Sequence, residues 1–147
     1  MKKINLLIAV FVLVLSFIKE STAQTISDWQ LLKLDIAGHT KIKGVEAFAQ
    51  SNKCKGEDVV YVRFVNHNEY PVAIKWFDAI QTNEHKWIRK EGAADKKALT
   101  LAANQDIKGD CLSELFIECI IKLKDYVDNP NNFSEYAVYH LEVIAVK

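Results

Sequence analysis

Hydrophobic and β-branched residues near the middle of the chain form its clearest secondary-structure pattern. Residues 59–65 are rich in valine and aromatic side chains, which favour strands. Residues 72–77 alternate so that Ile74 and Trp76 share one face, as in a strand that is buried on one side. The turn-forming residues 66–71 separate the two segments. This order predicts a β-hairpin with Trp76 in the core.

Shorter segments predict further strands. Residues 29–36 alternate leucine and isoleucine with charged residues, and residues 98–102 place two leucines on one face. The C-terminal residues 139–146 are apolar on both faces, which is typical of a central strand that is covered on both sides. Two more short strands are predicted at residues 44–49 and 86–89.

The stretch 112–127 fits two kinds of structure. One set of its apolar residues recurs at the spacing of a helix stripe, and another set alternates as in a strand. We favour a strand over residues 114–124, because isoleucine and phenylalanine prefer strands and because the C-terminal strand needs a partner. Residues 128–132 are then a loop.

The first residues of the chain indicate export. A basic start at residues 1–3 precedes an apolar run at 4–18 and small residues at 21–23, which is the order of a secretory signal peptide. The apolar run has 15 residues, whereas a membrane-spanning helix needs about 20, so an uncleaved anchor is the weaker alternative. We therefore expect a signal peptide at 1–23 and one domain at 24–147. The exported protein is expected to be periplasmic or extracellular, without a membrane span after cleavage.

The number of strands and the length of the domain together indicate the fold class. About seven or eight short strands fall within the predicted domain, with turn signals every 8–12 residues or so. Such spacing favours an all-β fold in which two antiparallel sheets pack as a sandwich. We found no internal repeat or long linker, which agrees with one compact domain.

Three cysteines remain after the predicted cleavage site. Cys119 lies among apolar residues and is expected to be a small buried side chain. Its alternative role, a reactive nucleophile, needs neighbours that acidify the thiol, and the nearby sequence supplies none. Cys54 and Cys111 lie in polar, turn-like sequence, so we predict a disulfide between them. On the chain-entropy model this bridge stabilises the fold by about 4 kcal/mol.

The residues around the predicted hairpin carry a family resemblance. They are Val62-Arg63-Phe64-Val65-Asn66-His67-Asn68, Pro71, Ile74-Lys75-Trp76 and Gly109-Asp110-Cys111. With these residues the chain resembles small exported bacterial proteins, largely uncharacterised, over about half of the mature sequence. The resemblance implies a single immunoglobulin-like antiparallel β-sandwich of about seven strands, and no activity. The Cys-Trp-Cys pattern of antibody domains is not matched, because Cys54 is expected to precede its strand.

The charge of the mature chain argues against nucleic acid as a partner. After removal of residues 1–23 the chain has 16 basic and 18 acidic residues, a net charge of −2. Each cluster of lysine and arginine has acidic residues close by in sequence. A domain of this kind has no general attraction for phosphate backbones, so we expect no nucleic-acid binding.

The sequence lacks the common catalytic and metal-binding motifs. We find no Gly-x-Ser-x-Gly elbow, no phosphate-binding glycine loop and no His-Glu-x-x-His helix. The least unfavourable metal site would join His67 and Glu69 to His85 or Glu84, but solvated turn residues are the better interpretation. We therefore expect a protein that is not an enzyme and that has no cofactor and no metal.

Two functions from different classes remain. The turn-rich loops 66–71 and 103–111 favour an exported, non-catalytic binding module of the bacterial envelope or secretome, because sandwich loops commonly carry recognition. Its expected partner is a protein of the envelope. The candidate binding residues are Trp87, His67, Glu69 and Tyr70.

The alternative function is carbohydrate binding through exposed aromatic side chains. Trp87 is flanked by charged residues, and an exposed ring there would stack on a sugar. Other aromatic residues that could join it are Trp29, Phe133, Tyr136 and Tyr139. Core packing of these rings is the simpler interpretation, because large side chains dominate small cores.

Overall fold

A computed structural model describes residues 28–113 and 115–147 of the chain. These residues form ten β-strands and four short 3₁₀ turns. The strands are β1 Gln30–Leu31, β2 Lys41–Ile42, β3 Val45–Cys54, β4 Glu57–Asn66, β5 Val72–Thr82, β6 Trp87–Arg89, β7 Lys97–Leu101, β8 Asp106–Lys108, β9 Ile120–Lys122 and β10 Phe133–Ala145. The 3₁₀ turns are Ala93–Asp95, Ile117–Cys119, Leu123–Asp125 and Pro130–Asn132. The predicted signal peptide lies outside the described residues.

The strands form two antiparallel sheets. In the first sheet the order is β1-β3-β4-β8, with β2 also paired to β3 and β9 also paired to β4. In the second sheet the order is β10-β5-β6, with β7 also paired to β5. The first sheet is therefore four strands wide and the second is three strands wide. The prediction of an all-β antiparallel sandwich is confirmed, and the finer immunoglobulin-like grouping stays a prediction.

The core fills the space between the two sheets. The ring centroids of Phe64 on β4 and Trp76 on β5 are 4.8 Å apart, and both side chains are fully buried. The predicted core position of Trp76 is thus confirmed. The predicted strand at 29–36 is present only as β1, although Leu32 and Leu34 are buried beyond its end. The short predicted strands at 86–89 and 98–102 correspond to β6 and β7.

The predicted hairpin between residues 59–65 and 72–77 is wrong in its pairing. Both strands exist, but β4 pairs with β3, β8 and β9, whereas β5 pairs with β10, β6 and β7. The connection crosses from one sheet to the other, so the Phe64 and Trp76 rings meet across the core at an interplanar angle of 57°. Alternation along a strand shows which side chains are buried, but it does not identify the neighbouring strand.

Tight hairpins are instead formed by β2 and β3, whose end residues Ile42 and Val45 pair, and by β3 and β4. Cys54 pairs with Glu57, so a two-residue turn joins the strands. Lys55 and Gly56 both have positive φ, 51° and 86°, as a type I′ turn requires. The predicted strand at 44–49 is therefore longer, and the expectation that Cys54 precedes its strand is wrong, because Cys54 ends β3.

The predicted strand over 114–124 is present only as the three residues of β9, between two 3₁₀ turns. Phe116 has a left-handed backbone (φ 55°, ψ 48°), which interrupts an extended chain before β9 begins. The pairing also differs from the prediction, because β9 pairs with residues 59–61 of β4 and not with the C-terminal strand.

The C-terminal strand β10 lies at an edge of its sheet and is not the central strand that we predicted. It pairs with β5, and among the described residues no strand pairs with its other side. A register shift between Tyr139 and Glu142 includes His140 with φ 50°. The buried positions are Val138 before this bulge and Val143 after it. The side chains that face the core are therefore even-numbered before the bulge and odd-numbered after it. This change makes the strand look apolar on both faces in the sequence.

Candidate functional site

The predicted disulfide between Cys54 and Cys111 is confirmed, with 5.5 Å between the Cα atoms. It joins the end of β3 to the segment after β8, and both strands belong to the first sheet. It therefore differs from the bridge between sheets in antibody domains. Cys119 is fully buried as predicted, and burial raises the pKa of its thiol to about 12. Such a thiol is a poor nucleophile at neutral pH.

A buried polar cluster surrounds Asp78, which is 2% exposed. The Tyr136 hydroxyl donates to Asp78 Oδ1 over 2.7 Å, and the Trp76 indole N–H donates to the same oxygen over 3.1 Å. On the other oxygen, Lys97 Nζ lies at 2.7 Å and the Tyr126 hydroxyl donates over 3.3 Å. The carboxylate is thus satisfied by four donors, and the cluster is structural.

The Asp78 cluster also affects the two tyrosines. Burial, together with the nearby Asp78 charge, raises the pKa of both Tyr126 and Tyr136 above the ordinary range. Both hydroxyls therefore stay protonated and act as donors. Sequence analysis missed the cluster, although an aspartate within the apolar residues 74–80 was a visible signal.

The candidate residues His67, Glu69 and Tyr70 lie in the crossover between β4 and β5. Glu69 and Tyr70 are exposed, whereas His67 Nε2 lies 2.7 Å from Glu46 Oε2. The hydrogen bond from His67 is the main cause that lowers the pKa of Glu46. Among the described residues no group of three or more His, Cys, Asp and Glu side chains could hold a metal ion.

Asn66 ties this crossover to the loop after β7. Its buried side-chain amide donates to the carbonyls of Tyr70 and Ala102 over 3.0 and 2.8 Å. The Asn104 N–H donates to the Asn68 carbonyl over 2.9 Å. The two loops that we predicted as recognition loops therefore meet at one end of the sandwich. Their backbones are held together there by these hydrogen bonds.

Trp87 lies elsewhere, in a cleft of about 660 Å³ on the second sheet. The pairing register places Trp87 opposite Gln81, and Gln81 opposite Glu135. In the next row Arg89 lies opposite Ala79, and Ala79 opposite Ala137. Since Ile80 and Tyr136 face the core, alternation puts these rows on the outer face of the sheet.

Two alanines form the floor of this outer-face trough. Ala79 and Ala137 are small, whereas Trp87 and Arg89 stand on one side and Tyr139 on the other. The Arg89 guanidinium carbon lies 4.5 Å from the centre of the Tyr139 ring, a cation–π contact. The sequence named Trp87 and Tyr139 as candidates, but Arg89 and the two alanines were missed. They could not be found without the strand register.

The cleft continues over the free edge of β10. Beyond that edge it is lined by residues 32–36 and by Ile42, and on β10 by residues 135–141. A second cavity of about 180 Å³ continues along the same edge, between residues 30–33 and 133–136. Together they form the edge groove, which follows β10 from residue 133 to residue 141. Its volume and mostly apolar lining fall within the range of ligand sites.

Some charged residues of the edge groove have a partner of opposite charge, and others do not. Asp35 accepts a hydrogen bond from His39 Nδ1 over 2.6 Å, and this bond lowers the pKa of Asp35. Lys33 and Arg89 have no carboxylate partner among the described residues. Glu135 lies at the other end, near residue 133. Arg89 therefore places a positive charge towards Tyr139, whereas Glu135 places a negative charge nearer to residue 133, where Lys33 also lies.

Comparison with known proteins yields one distant similarity. No family model matches the chain, and no curated protein matches it. Among solved structures the chain is similar to a DUF1425 family member from Shewanella sp. pv-4, a crystal structure at 1.81 Å resolution. The TM-score is 0.44 and the sequence identity 12%, over 80% of this chain and 91% of that chain. A similarity at this level carries no argument about function.

No helix between residues 28 and 113 or between 115 and 147 has the length and apolar composition to cross a bilayer. The Cys54–Cys111 disulfide is compatible with an exported protein, because disulfides persist in oxidising compartments.

Proposed function

We propose that the chain is an exported, non-catalytic binding module that holds a protein partner in the edge groove. The observation that carries the proposal is the apolar groove along a strand edge without a described partner. Natural proteins commonly cover or charge such edges, because an open edge is a template for another chain. A groove that is both open and apolar therefore suits a binding surface.

The remaining polar chemistry of the molecule supports a non-catalytic role. The Asp78 carboxylate is buried and its oxygens are occupied by four donors. Cys119 is buried, with a pKa of about 12. Neither group is available to a substrate, because general acid–base and nucleophilic catalysis both require access to the reacting atoms.

A crosslinked pull-down with matched variants tests this function. Ala137→Arg fills the floor of the trough, and Trp87→Ala removes one wall without adding bulk. Ala98→Arg is the control, because Ala98 is an exposed position on β7, outside the groove lining. We expect one partner that the wild type and the control retain and that both groove variants lose. A partner retained equally by all four proteins would contradict the site, as would the absence of any partner.

Carbohydrate binding is the second candidate. Trp87 is half-buried on the outer face of the second sheet and is the ring offered to a sugar, whereas the Tyr139 ring is in contact with Arg89 and His140. A glycan array probed with the wild type and with Trp87→Ala tests this alternative. Glycans bound by the wild type and lost in the variant would support it. If no glycan distinguishes the two proteins, Trp87 has no role in sugar binding.

A further inference from the structure

The free edge of β10 is limited to its first half. At the other end, the Lys43 ammonium donates to the Val143 carbonyl over 3.1 Å and occupies the edge. The bulge between Tyr139 and Glu142 ends regular pairing before that point. Residues 133–139 therefore remain open, a length of about 23 Å at 3.3 Å per residue. Each strand edge presents unpaired N–H and C=O groups that a further strand can satisfy.

The two sheets differ in width at this edge. The first sheet has four strands across and the second has three. Leu32, Leu34 and Ile42 from the outermost part of the first sheet line the groove beside β10. The second sheet has no described strand beneath these side chains. Leu32 and Leu34 are already buried, so a strand added to β10 would point alternate side chains towards the exposed Ile36 and the half-buried Ile42.

The charges of the groove lining favour one orientation of a bound segment along β10. Arg89, without a carboxylate partner among the described residues, lies with His140 in the groove lining towards Tyr139, and Glu135 lies nearer to residue 133, beside Lys33. An incoming segment would be matched by an acidic residue near Tyr139 and a basic residue near Glu135. Main-chain hydrogen bonds would supply affinity, and the apolar and charged side chains would supply specificity.

We propose that the occupant of the edge groove is an extended peptide segment of the partner, which pairs with residues 133–139 as an additional strand at the β10 edge of the second sheet. This inference rests on the proposed function, because it names how the partner enters the same groove. The segment alternates apolar residues, which face Ile36 and Ile42 in the groove lining, with polar residues of the charge order given above.

Selection of displayed peptides supplies the probe. A random twelve-residue library is selected on the wild-type chain after depletion on Ala137→Arg, and the recovered peptides must also bind Ala98→Arg, so that only groove-dependent peptides remain. We expect alternating apolar positions with an acidic and a basic residue at opposite ends. A library that yields no peptide dependent on the groove overturns the strand proposal. The pull-down partner, lost in the groove variants, would then still support the binding function.

Backbone methylation of the selected peptide distinguishes an added strand from other modes. An added strand bonds through every second amide on one edge, so N-methylation of that set should weaken binding by roughly 100-fold, at about one net hydrogen bond for each lost donor. Methylation of the alternate set should change the affinity by less than about threefold. Equal losses, or no loss, in both sets would overturn pairing with β10.

Two further measurements test where the peptide binds and whether a second copy of the chain occupies the groove instead. The backbone amides within residues 133–139 should exchange hydrogen more slowly when the selected peptide is bound, and protection elsewhere only would contradict the site. Sedimentation of the chain alone tests a second copy as the occupant. A dimer that Ala137→Arg dissolves and Ala98→Arg retains would overturn the peptide proposal in favour of self-association.

Discussion

At the scale of single residues, the buried Asp78 carboxylate depends on Lys97 for its countercharge. Lys97→Met would leave the charge buried and unpaired, so we expect the free energy of unfolding to fall by about 3 kcal/mol. Urea denaturation measures the loss. Lys75→Met is the control, because Lys75 is exposed on the same sheet, and its effect should stay within about 0.5 kcal/mol. Equal losses in the two variants would show that the Asp78–Lys97 pair has no special role.

A second prediction at this scale concerns the exposed pair Arg63–Asp106. Arg63 Nε donates to Asp106 Oδ1 over 2.8 Å, and this bond is the main cause that lowers the pKa of Asp106. A carboxyl whose pKa is lower in the folded state stabilises the fold above its unfolded pKa, and the gain is lost as the pH falls through the folded pKa. Asp106→Asn should therefore cost less than about 1 kcal/mol at neutral pH and nothing near about pH 2. A cost that is unchanged between these two pH values in urea denaturation would contradict the pair.

The burial of individual side chains could be predicted better than the residues with which they form hydrogen bonds and ion pairs. Trp76 and Cys119 are buried as expected, because each lies among apolar residues that share its face. The ligands of Asp78 could not be predicted, because Trp76, Lys97, Tyr126 and Tyr136 come from separate segments that only the tertiary fold brings together.

At the scale of elements, the disulfide fixes the end of the β3–β4 hairpin to the segment after β8. The double variant Cys54→Ser and Cys111→Ser should lower the free energy of unfolding by about 4 kcal/mol, because its unfolded chain is no longer closed into a loop. Denaturant titration without reductant measures the change. In the same conditions, alkylation of the wild type should label only Cys119, and only after unfolding. Three labelled cysteines without reductant would contradict the bridge.

Irregular backbone explains why some elements were misjudged. The bulge at residues 139–142 changes which of the alternating side chains face the core. An edge strand therefore has the apolar sequence pattern of a central strand. The left-handed Phe116 similarly shortened a segment whose side chains fit a long strand. Neither positive-φ position is a glycine, so the sequence carries no signal for it, whereas Gly56 does mark its turn in the sequence.

At the scale of the whole molecule, pairing between distant segments is the part of the fold that the sequence could not show. The all-β class followed from the number and spacing of apolar segments, but the crossover after β4 and the edge position of β10 depend on competition among all strands. The candidate groove depends on the same topology, because it arises where a sheet that is four strands wide extends beyond a sheet that is three strands wide. Trp87 was therefore identified singly, without the neighbours that form the cleft.

The same topology predicts slow folding with a single major phase. β5 must pair with β10 although β6 to β9 lie between them in the chain, and such non-local pairing places refolding in the range of about milliseconds to seconds. Trp76 reports the docking of the two sheets, because it contacts Phe64 across the core, whereas Trp87 reports the outer face of the second sheet. Stopped-flow refolding of Trp87→Phe, compared with the wild type, separates the two signals. Equal rates would support a two-state transition, and a faster phase carried by Trp87 would show that the second sheet forms before the sandwich closes.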